Sequence, residues 1–310
     1  MEIGNVYDVI IVGAGPAGLT AGIYTSRSGL RTLILEEKFV GGMMAEAPFV
    51  ENYPGLQEGV SGLDLSTRME LQARKFGVQI LNPEKVIGFT LHGKRKLVNG
   101  EKDIYSAIVV ILAVGCNYRR LDIPGEHKFH GKGVSYCATC DGPFFKGKTV
   151  LVAGGGNSAA TSAIYLSALA SEVIMVHRRE SLRADEVLIK ELRDRNVSVI
   201  LNTVVREIKG DAKVERVILE DTVTAKKDNR EVDGIFVQIG EIPNSRIAND
   251  AGVKIDKDGY ILVDHRQRTN IGGVFAAGDV TNCSIKQIGT AVGQAIIAAL
   301  EAFAYVKKRS

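Results

Sequence analysis

Two cysteines separated by two residues, with an aspartate directly after the second, form the part of this chain best suited to redox chemistry: Cys137-Ala138-Thr139-Cys140-Asp141. The thiolate is the reactive form of cysteine. The Cys-x-x-Cys spacing closes a small disulfide ring, so a second thiol stands ready to resolve a mixed disulfide formed by the first. A carboxyl beside the pair can exchange the thiol proton, which makes Cys137 and Cys140 the candidate redox couple and Asp141 the candidate acid/base. Taken alone, an aspartate before Gly142-Pro143 also reads as a turn residue. A zinc site would need two more ligands. His127 and His130 lie near in sequence, but Cys116 and Cys283 make no second close pair, so no metal is expected.

The chemistry needs an electron source, and two glycine-rich segments point to one. Gly13-Ala14-Gly15-Pro16-Ala17-Gly18 follows the apolar run Val9 to Val12, and Gly154-Gly155-Gly156-Asn157-Ser158-Ala159 follows Val150 to Ala153. Aligned on Gly13 and Gly154, the two segments keep a constant offset through helical stretches (Ala17 to Ser28, Ser158 to Ala170) and second apolar strands (Arg31 to Leu35, Glu172 to Val176), and Tyr24 falls opposite Tyr165. This is a strand–turn–helix–strand unit met twice. The first glycine permits the tight turn and the second lets backbone approach a pyrophosphate. The third position, Gly18 or Ala159, lets the helix pack closely on the strand. Phosphates then rest on free N–H groups at the helix N-terminus.

The residues just past the second strand separate the two cofactors. The first copy has Glu36, whose carboxylate suits the ribose diol in the adenosine half of FAD. The second has His177-Arg178-Arg179, with Arg183 one turn later. A carboxylate there would repel a 2′-phosphate, whereas guanidinium groups bind one in bidentate fashion, so NADPH is assigned to this copy. Two dinucleotide sites with a dithiol just upstream of the second describe an electron relay from nicotinamide to flavin to disulfide.

Size and composition agree with a two-domain α/β chain. The 310 residues are 45% hydrophobic and 24% charged, with 39 basic and 36 acidic residues giving a net charge of +3. That balance, without basic runs or aromatic-interleaved basic patches, argues against nucleic acid as a partner. The longest apolar runs, such as Ala107 to Val114, fall short of the roughly 20 residues a membrane span needs. Met1-Glu2-Ile3-Gly4-Asn5 carries no leader signature, so a cytoplasmic protein is expected. Ala107 to Val114 and Gly234 to Ile239 read as further strands, and Gly289 to Ala304 as a closing helix. Segments near 117–125 and 240–244 read as crossings, giving two Rossmann-like, FAD/NAD(P)-binding domains with the second inserted in the first: 1–117 with 244–310, and 118–243. The histidines other than His177 read as surface or turn residues.

Taken in this order, the Gly13–Gly18 fingerprint, Glu51-Asn52-Tyr53-Pro54-Gly55, Ser135–Gly142, Gly154–Ser158, His177–Arg179 with Arg183, and Ala276–Val280 resemble the low-molecular-weight thioredoxin reductases over essentially the whole chain. The resemblance implies a discontinuous FAD domain, a central NADPH domain carrying the dithiol, and a homodimer. It implies FAD contacts from Gly13, Gly15, Pro16, Ala17, Gly18, Glu36, Gly41, Gly42, Asn52, Val86, Gly115, Gly278, Asp279, Gln287 and Ile288. NADPH contacts are implied for Gly154, Gly156, Asn157, Ser158, His177, Arg178, Arg179 and Arg183. Met43 stands where the family commonly has glutamine, Thr161 and Ser162 where acidic residues are common, and Cys116 where a small residue is usual.

The expected activity is reduction of a protein disulfide, on a thioredoxin or glutaredoxin-like dithiol protein, by NADPH through FAD and Cys137–Cys140. Cys140 is taken as the thiol nearer the flavin and Cys137 as the one facing exchange. Nicotinamide and disulfide would both belong to the central domain, so the crossings are expected to let that domain rotate. The alternatives are an oxygen-linked dithiol oxidase, which would have less reason to keep the arginines, and a non-enzymatic redox-sensing regulator, which would not need Asp141.

Overall fold

The structure is a computed structural model that describes residues 6–47, 49–92 and 95–309. The reading of the first five residues therefore lies outside the described residues. The chain forms two compact units, one running to Asn117 and resuming at Ile242, the other spanning Tyr118–Glu241.

The first unit opens with β1 (Val6–Val12), α1 (Pro16–Arg27) and β2 (Thr32–Leu35). A short helix α2 (Met43–Glu46) and the longer α3 (Gly62–Lys75) follow. Strands β3 (Gln79–Leu81), β4 (Val86–His92), β5 (Arg95–Gly100) and β6 (Ile104–Leu112) complete the first pass, and β7 (Cys116–Tyr118) marks the crossing. The sheet order is β3-β2-β1-β6-β5-β4. β1 pairs in parallel with β2 (Val9 with Thr32) and with β6 (Val9 with Val109), while β4 and β5 are an antiparallel hairpin on β6.

An unbroken apolar run makes a strand covered on both faces. In β1, Val9 and Ile11 join the core formed with α1 and α3, and Ile10 and Val12 join the core on the opposite face; all four are at most 5% exposed. Burying such a side chain contributes about 1.5–3 kcal/mol.

The second unit begins with β8 (Val134–Ser135), α4 (Ala138–Asp141) and a 3-10 turn, then repeats the opening motif as β9 (Thr149–Gly154), α5 (Asn157–Ser167) and β10 (Glu172–Val176). After α6 (Glu186–Asp194) and β11 (Ser198–Ile200) comes an antiparallel excursion, β12 (Thr203–Lys209), β13 (Arg216–Asp221) and β14 (Lys227–Glu231). β15 (Gly234–Gln238) returns to a parallel sheet of order β11-β10-β9-β15-β8, and β16 (Glu241–Pro243) leads out. Both antiparallel excursions are additions to the sequence reading.

Back in the first unit, α7 (Arg246–Asp250), β17 (Val274–Ala276) and α8 (Ile288–Lys307) close the chain, with β17 parallel to β6. The return falls two residues earlier than expected, because the hydrogen bonds change sides there. Arg119 N–H donates to Gly240 O within the second unit, whereas Asn244 N–H donates to Gly115 O and its Nδ2 to Val114 O within the first.

Helix limits also shift for identifiable reasons. α1 starts at Pro16, whose missing N–H is not needed at the first position, and stops before Gly29, which has φ of 79°. α8 runs to Lys307, three residues past the expected end, and is long and apolar enough to cross a membrane by length and composition alone. Its buried stripe is Ala291, Ala295, Ala298 and Ala302, small residues that let it pack closely in the core shared with α1. Ala298 is 0% exposed, so Ala298→Leu should overpack that face and lower unfolding stability by about 1–3 kcal/mol, read as a lower urea midpoint.

Candidate functional site

In the first unit the fingerprint turn is built by sterics. A Cβ on Gly13, whose φ is 101°, would lie 2.4 Å from Ala113 O, and one on Gly18 would lie 1.8 Å from Gly13 O. Around Gly15, by contrast, the nearest atom to an added Cβ is Gly41 O at 4.0 Å. α1 therefore begins over open space, and no side chain caps it. Uncapped N–H groups with an open approach suit a pyrophosphate, the fit expected for FAD. Pro16 and Ala17 form its first turn, and Gly278 lies beside it, with an added Cβ 3.0 Å from that of Ala17.

Glu36 is fixed by backbone: Oε2 accepts from Ala14 N–H at 2.7 Å and Oε1 from Lys38 N–H at 2.9 Å. Each oxygen keeps a lone pair for a ribose hydroxyl. Gly41 N–H donates to Ala14 O, and Gly42 sits over Gly15, with an added Cβ 3.4 Å from Gly15 Cα. Asn52 Nδ2 donates to Gln287 Oε1 at 3.3 Å, so two expected flavin contacts far apart in sequence meet. Gln287 caps α8, which starts at Ile288.

Two residues not singled out in the sequence also serve this region. Gln294 Oε1 accepts from Gly278 N–H at 2.7 Å, and Lys286 Nζ donates to Asp279 O at 2.8 Å. Gly115, with φ of 63°, takes the turn after β6. The Val86 side chain is buried in the core with Phe89, Val98 and Tyr105.

The second fingerprint repeats the construction with different occupants. A Cβ on Gly154 would lie 2.3 Å from Gln238 O, whereas one on Gly156 would meet nothing within 4 Å, and α5 starts there without a side-chain cap. Asn157 turns sideways: its Nδ2 donates to Asp185 Oδ2 and its Oδ1 accepts from Asp185 N–H, both at 2.9 Å. That leaves the main chain of Asn157 and Ser158, rather than the Asn157 amide, facing an anion. Arg183 N–H donates to Gly155 O at 2.7 Å, which pins the arginine segment to the loop. Arg178, Arg179 and Arg183 are exposed.

His177 differs from the arginines. It is 5% exposed, its Nε2 has no hydrogen-bond partner among the described residues, and its ring lies where a Cβ on Gly155 would stand, 2.1 Å from Nδ1. Burial, followed by Arg183, Arg179 and Arg178, pushes its pKa down, so the ring is held neutral. It packs under the loop as a platform. Sequence reasoning groups it with the phosphate-binding cations because a buried contact to a glycine leaves no periodic signal.

The dithiol lies in the same unit. Cys137 and Cys140 form a disulfide, Cα atoms 5.3 Å apart, across the single turn of α4. Ser135 Oγ accepts from Cys137 N–H at 3.0 Å, Asp141 N–H donates to Cys137 O at 3.1 Å, and Cys140 N–H points at Cys137 Sγ at 3.2 Å. Burial pushes the Asp141 carboxyl above its ordinary range, against a hydrogen bond with Ser135 and the charge of His130. An acid in that state keeps its proton nearer to neutral pH and can exchange it with a thiolate. Cys116 is buried and not disulfide-bonded, and no group of three or more His, Cys, Asp or Glu residues suited to a metal occurs among the described residues.

The platform contact is testable. Gly155→Ala should weaken binding of the dinucleotide at the second fingerprint about tenfold or more in calorimetry, and the additional change His177→Ala should recover part of that loss. Equal losses in the single and double variants would separate the loop from the ring.

Comparison with known proteins matches residues 7–295 to the pyridine nucleotide-disulphide oxidoreductases. The thioredoxin reductase of Bacillus subtilis is 43% identical over 307 residues, covering 98% of this chain and 96% of that protein. The crystal structure of thioredoxin reductase from Streptococcus pyogenes superposes with a TM-score of 0.92 at 39% identity, covering 98% of this chain and 99% of the other. The thioredoxin reductase of Giardia duodenalis gives 0.93 at 34% identity, covering 98% and 99%. With both fingerprints, the dithiol and its acid in this arrangement, the chain belongs to the pyridine nucleotide-disulphide oxidoreductases, among the low-molecular-weight thioredoxin reductases.

Proposed function

We propose that this chain reduces the disulfide of a small thioredoxin-like or glutaredoxin-like protein, with NADPH as the source of electrons and Cys137–Cys140 as the last carrier. The observation that carries the reading is the closed Cys137–Cys140 disulfide beside a partly buried acid, in the unit that also holds the second fingerprint. FAD and NADPH are its cofactors. Bound FAD would supply hydride acceptance from the nicotinamide and two-electron reduction of the disulfide.

The chain's own residues divide the work. The open N-terminus of α1 with Gly15, and the carboxylate of Glu36, would hold the pyrophosphate and ribose of FAD; Asn52, Asp279, Gln287 and Ile288 would lie toward the rest of it. Gly156 and the start of α5 would take the NADPH pyrophosphate, and Arg178, Arg179 and Arg183 its 2′-phosphate. A dithiol oxidase working with oxygen would have no use for three exposed guanidinium groups at that point.

In the dithiol state, the Cys137 thiolate attacks a substrate sulfur, forming a mixed disulfide and releasing one substrate thiolate. Cys140 then attacks Cys137 Sγ, re-forming the enzyme disulfide and releasing the second thiolate. Two thiols of the enzyme are oxidised, one substrate disulfide is reduced, and two protons pass across. Asp141 relays a proton and ends unchanged. The Cys140 N–H directed at Cys137 Sγ supports Cys137 as the exchanging thiolate; Cys140 is then the thiol assigned to the flavin side. We further assign the chain to the cytoplasm as a homodimer acting without nucleic acid or membrane, since a protein-disulfide reductant works against a reducing pool.

Three measurements bear on this. Anaerobic stopped-flow should show flavin bleaching by NADPH, and Arg178→Ala with Arg179→Ala should raise the KM for NADPH by roughly ten- to a hundredfold while leaving NADH nearly unaffected. Cys137→Ser with Cys140→Ser should keep the yellow cofactor and lose reduction of thioredoxin. Light scattering should give twice the 33.4 kDa chain mass.

A further inference from the structure

The two residues between the cysteines lie in different surroundings. Ala138 is 4% exposed and joins the core that includes Phe145, Ala159 and Leu166, whereas Thr139 is left at the surface. By type and exposure Thr139 reads as an ordinary solvated residue. Its hydroxyl nevertheless has a partner in the reacting pair: Thr139 Oγ1 lies 3.5 Å from Cys137 Sγ, a hydrogen-bonding separation for an atom as large as sulfur.

The direction of that bond follows from the disulfide. Cys137 Sγ is bonded to Cys140 Sγ and carries no hydrogen, so the threonine hydroxyl donates and the sulfur accepts. The Cys140 N–H donates to the same sulfur at 3.2 Å. Two donors thus converge on Cys137 Sγ while it is still uncharged. Branching at Cβ leaves the Thr139 hydroxyl few positions to occupy, so little freedom is lost in holding it there.

The backbone carrying the sulfur is fixed independently of the disulfide. Ser135 Oγ accepts from Cys137 N–H at 3.0 Å. The ring of Tyr136 stacks on Tyr118 at 5.1 Å and 9°, its hydroxyl donates to Glu126 Oε1 at 2.9 Å, and its carbonyl accepts from Gln238 Nε2 at 2.8 Å. Glu126 is 3% exposed and also accepts from the N–H groups of Leu121 and Asp122.

We infer that Thr139 is a catalytic hydrogen-bond donor for the exchange step: once the disulfide is opened, its hydroxyl and the Cys140 N–H together hold Cys137 as the thiolate that attacks the substrate sulfur. This rests on the reading of Cys137 as the exchanging thiol. A donor to the charged form favours that form, so the hydroxyl enlarges the reactive fraction near neutral pH. Thr139 keeps its own proton, and no electrons beyond those of the dithiol are involved. Of the titratable groups nearby, Cys140 and Asp141 share the turn, His130 meets the Tyr136 ring edge-on at 5.3 Å, and Tyr165 on α5 lies against Gly142. A change at Thr139 replaces none of them.

The test uses FAD-loaded Cys140→Ser enzyme, in which Cys137 cannot close the disulfide. Alkylation of Cys137 by iodoacetamide is followed against pH, with the modified peptide identified by mass. Adding Thr139→Val, which keeps the shape and puts a methyl in place of the hydroxyl, should raise the midpoint by roughly half a pH unit or more, about a threefold loss of thiolate below it. Adding Thr139→Ser, which keeps the hydroxyl, should leave the midpoint nearer to the parent than to Thr139→Val. A side chain that only filled space would show the reverse order. The inference is overturned if Thr139→Val titrates with the parent, or if Thr139→Ser moves the midpoint as far. Formation of a mixed disulfide with 5,5′-dithiobis(2-nitrobenzoate), compared at neutral pH between Cys140→Ser and Cys137→Ser, checks the underlying reading. Faster reaction at Cys140 than at Cys137 overturns that reading and this inference together, whereas a faster Cys137 with an unmoved midpoint overturns the inference alone.

Discussion

Everything at both nucleotide sites depends on how closely a helix can be brought against the strand that precedes it. At Gly18 the helix backbone sits on the carbonyl of Gly13, with no room for a single carbon between them. At the second copy an added Cβ on Gly154 would stand 2.7 Å from the Cβ of Ala159. Because the approach is this tight, the first N–H groups of α1 and α5 point out of the turn rather than into a neighbouring side chain, and neither helix carries a side-chain cap. The parallel strands supply the counter-surface: β1 and β9, buried on both faces, cannot shift without exposing a core.

This dependence explains what could be read from residues alone. The glycines, the flanking apolar runs and the contrast between Glu36 and His177 are local features with known geometric meaning, so the two parallel units and their cofactors were legible. The hairpin β4–β5 and the sheet β12–β14 were not. β14 is exposed at all five residues, Lys-Asp-Asn-Arg-Glu, and offers no alternation to follow; its place is set by pairing with β13. The burial of the Val86 side chain with Val98 and Tyr105 likewise depends on a strand pairing that the spacing does not reveal.

The dithiol region shows the same limit from another side. Cys137, Cys140 and Asp141 were legible because they adjoin one another. The support beneath them was not, since it is assembled from Tyr118, Glu126, His130, Tyr136 and Gln238 by ring stacking and a buried carboxylate. A buried carboxylate persists only when its oxygens are satisfied, and Glu126 meets that condition with two backbone donors and one phenol. Its effect is to tie the backbone at Leu121 and Asp122 to the residue before Cys137. Nothing in the types or spacing of those residues distinguishes them from ordinary surface positions.

The two copies also differ in a matched pair of positions. In the first, Ala14 lends its N–H to the carboxylate of Glu36; in the second, Gly155 gives up its side chain so that the ring of His177 can lie against it. In each copy the loop residue and the strand-end residue fit one another in volume and polarity. A methyl group at Gly155 would collide with the imidazole of His177. An exchange at the strand end of either copy therefore has to be matched by one in the loop it touches.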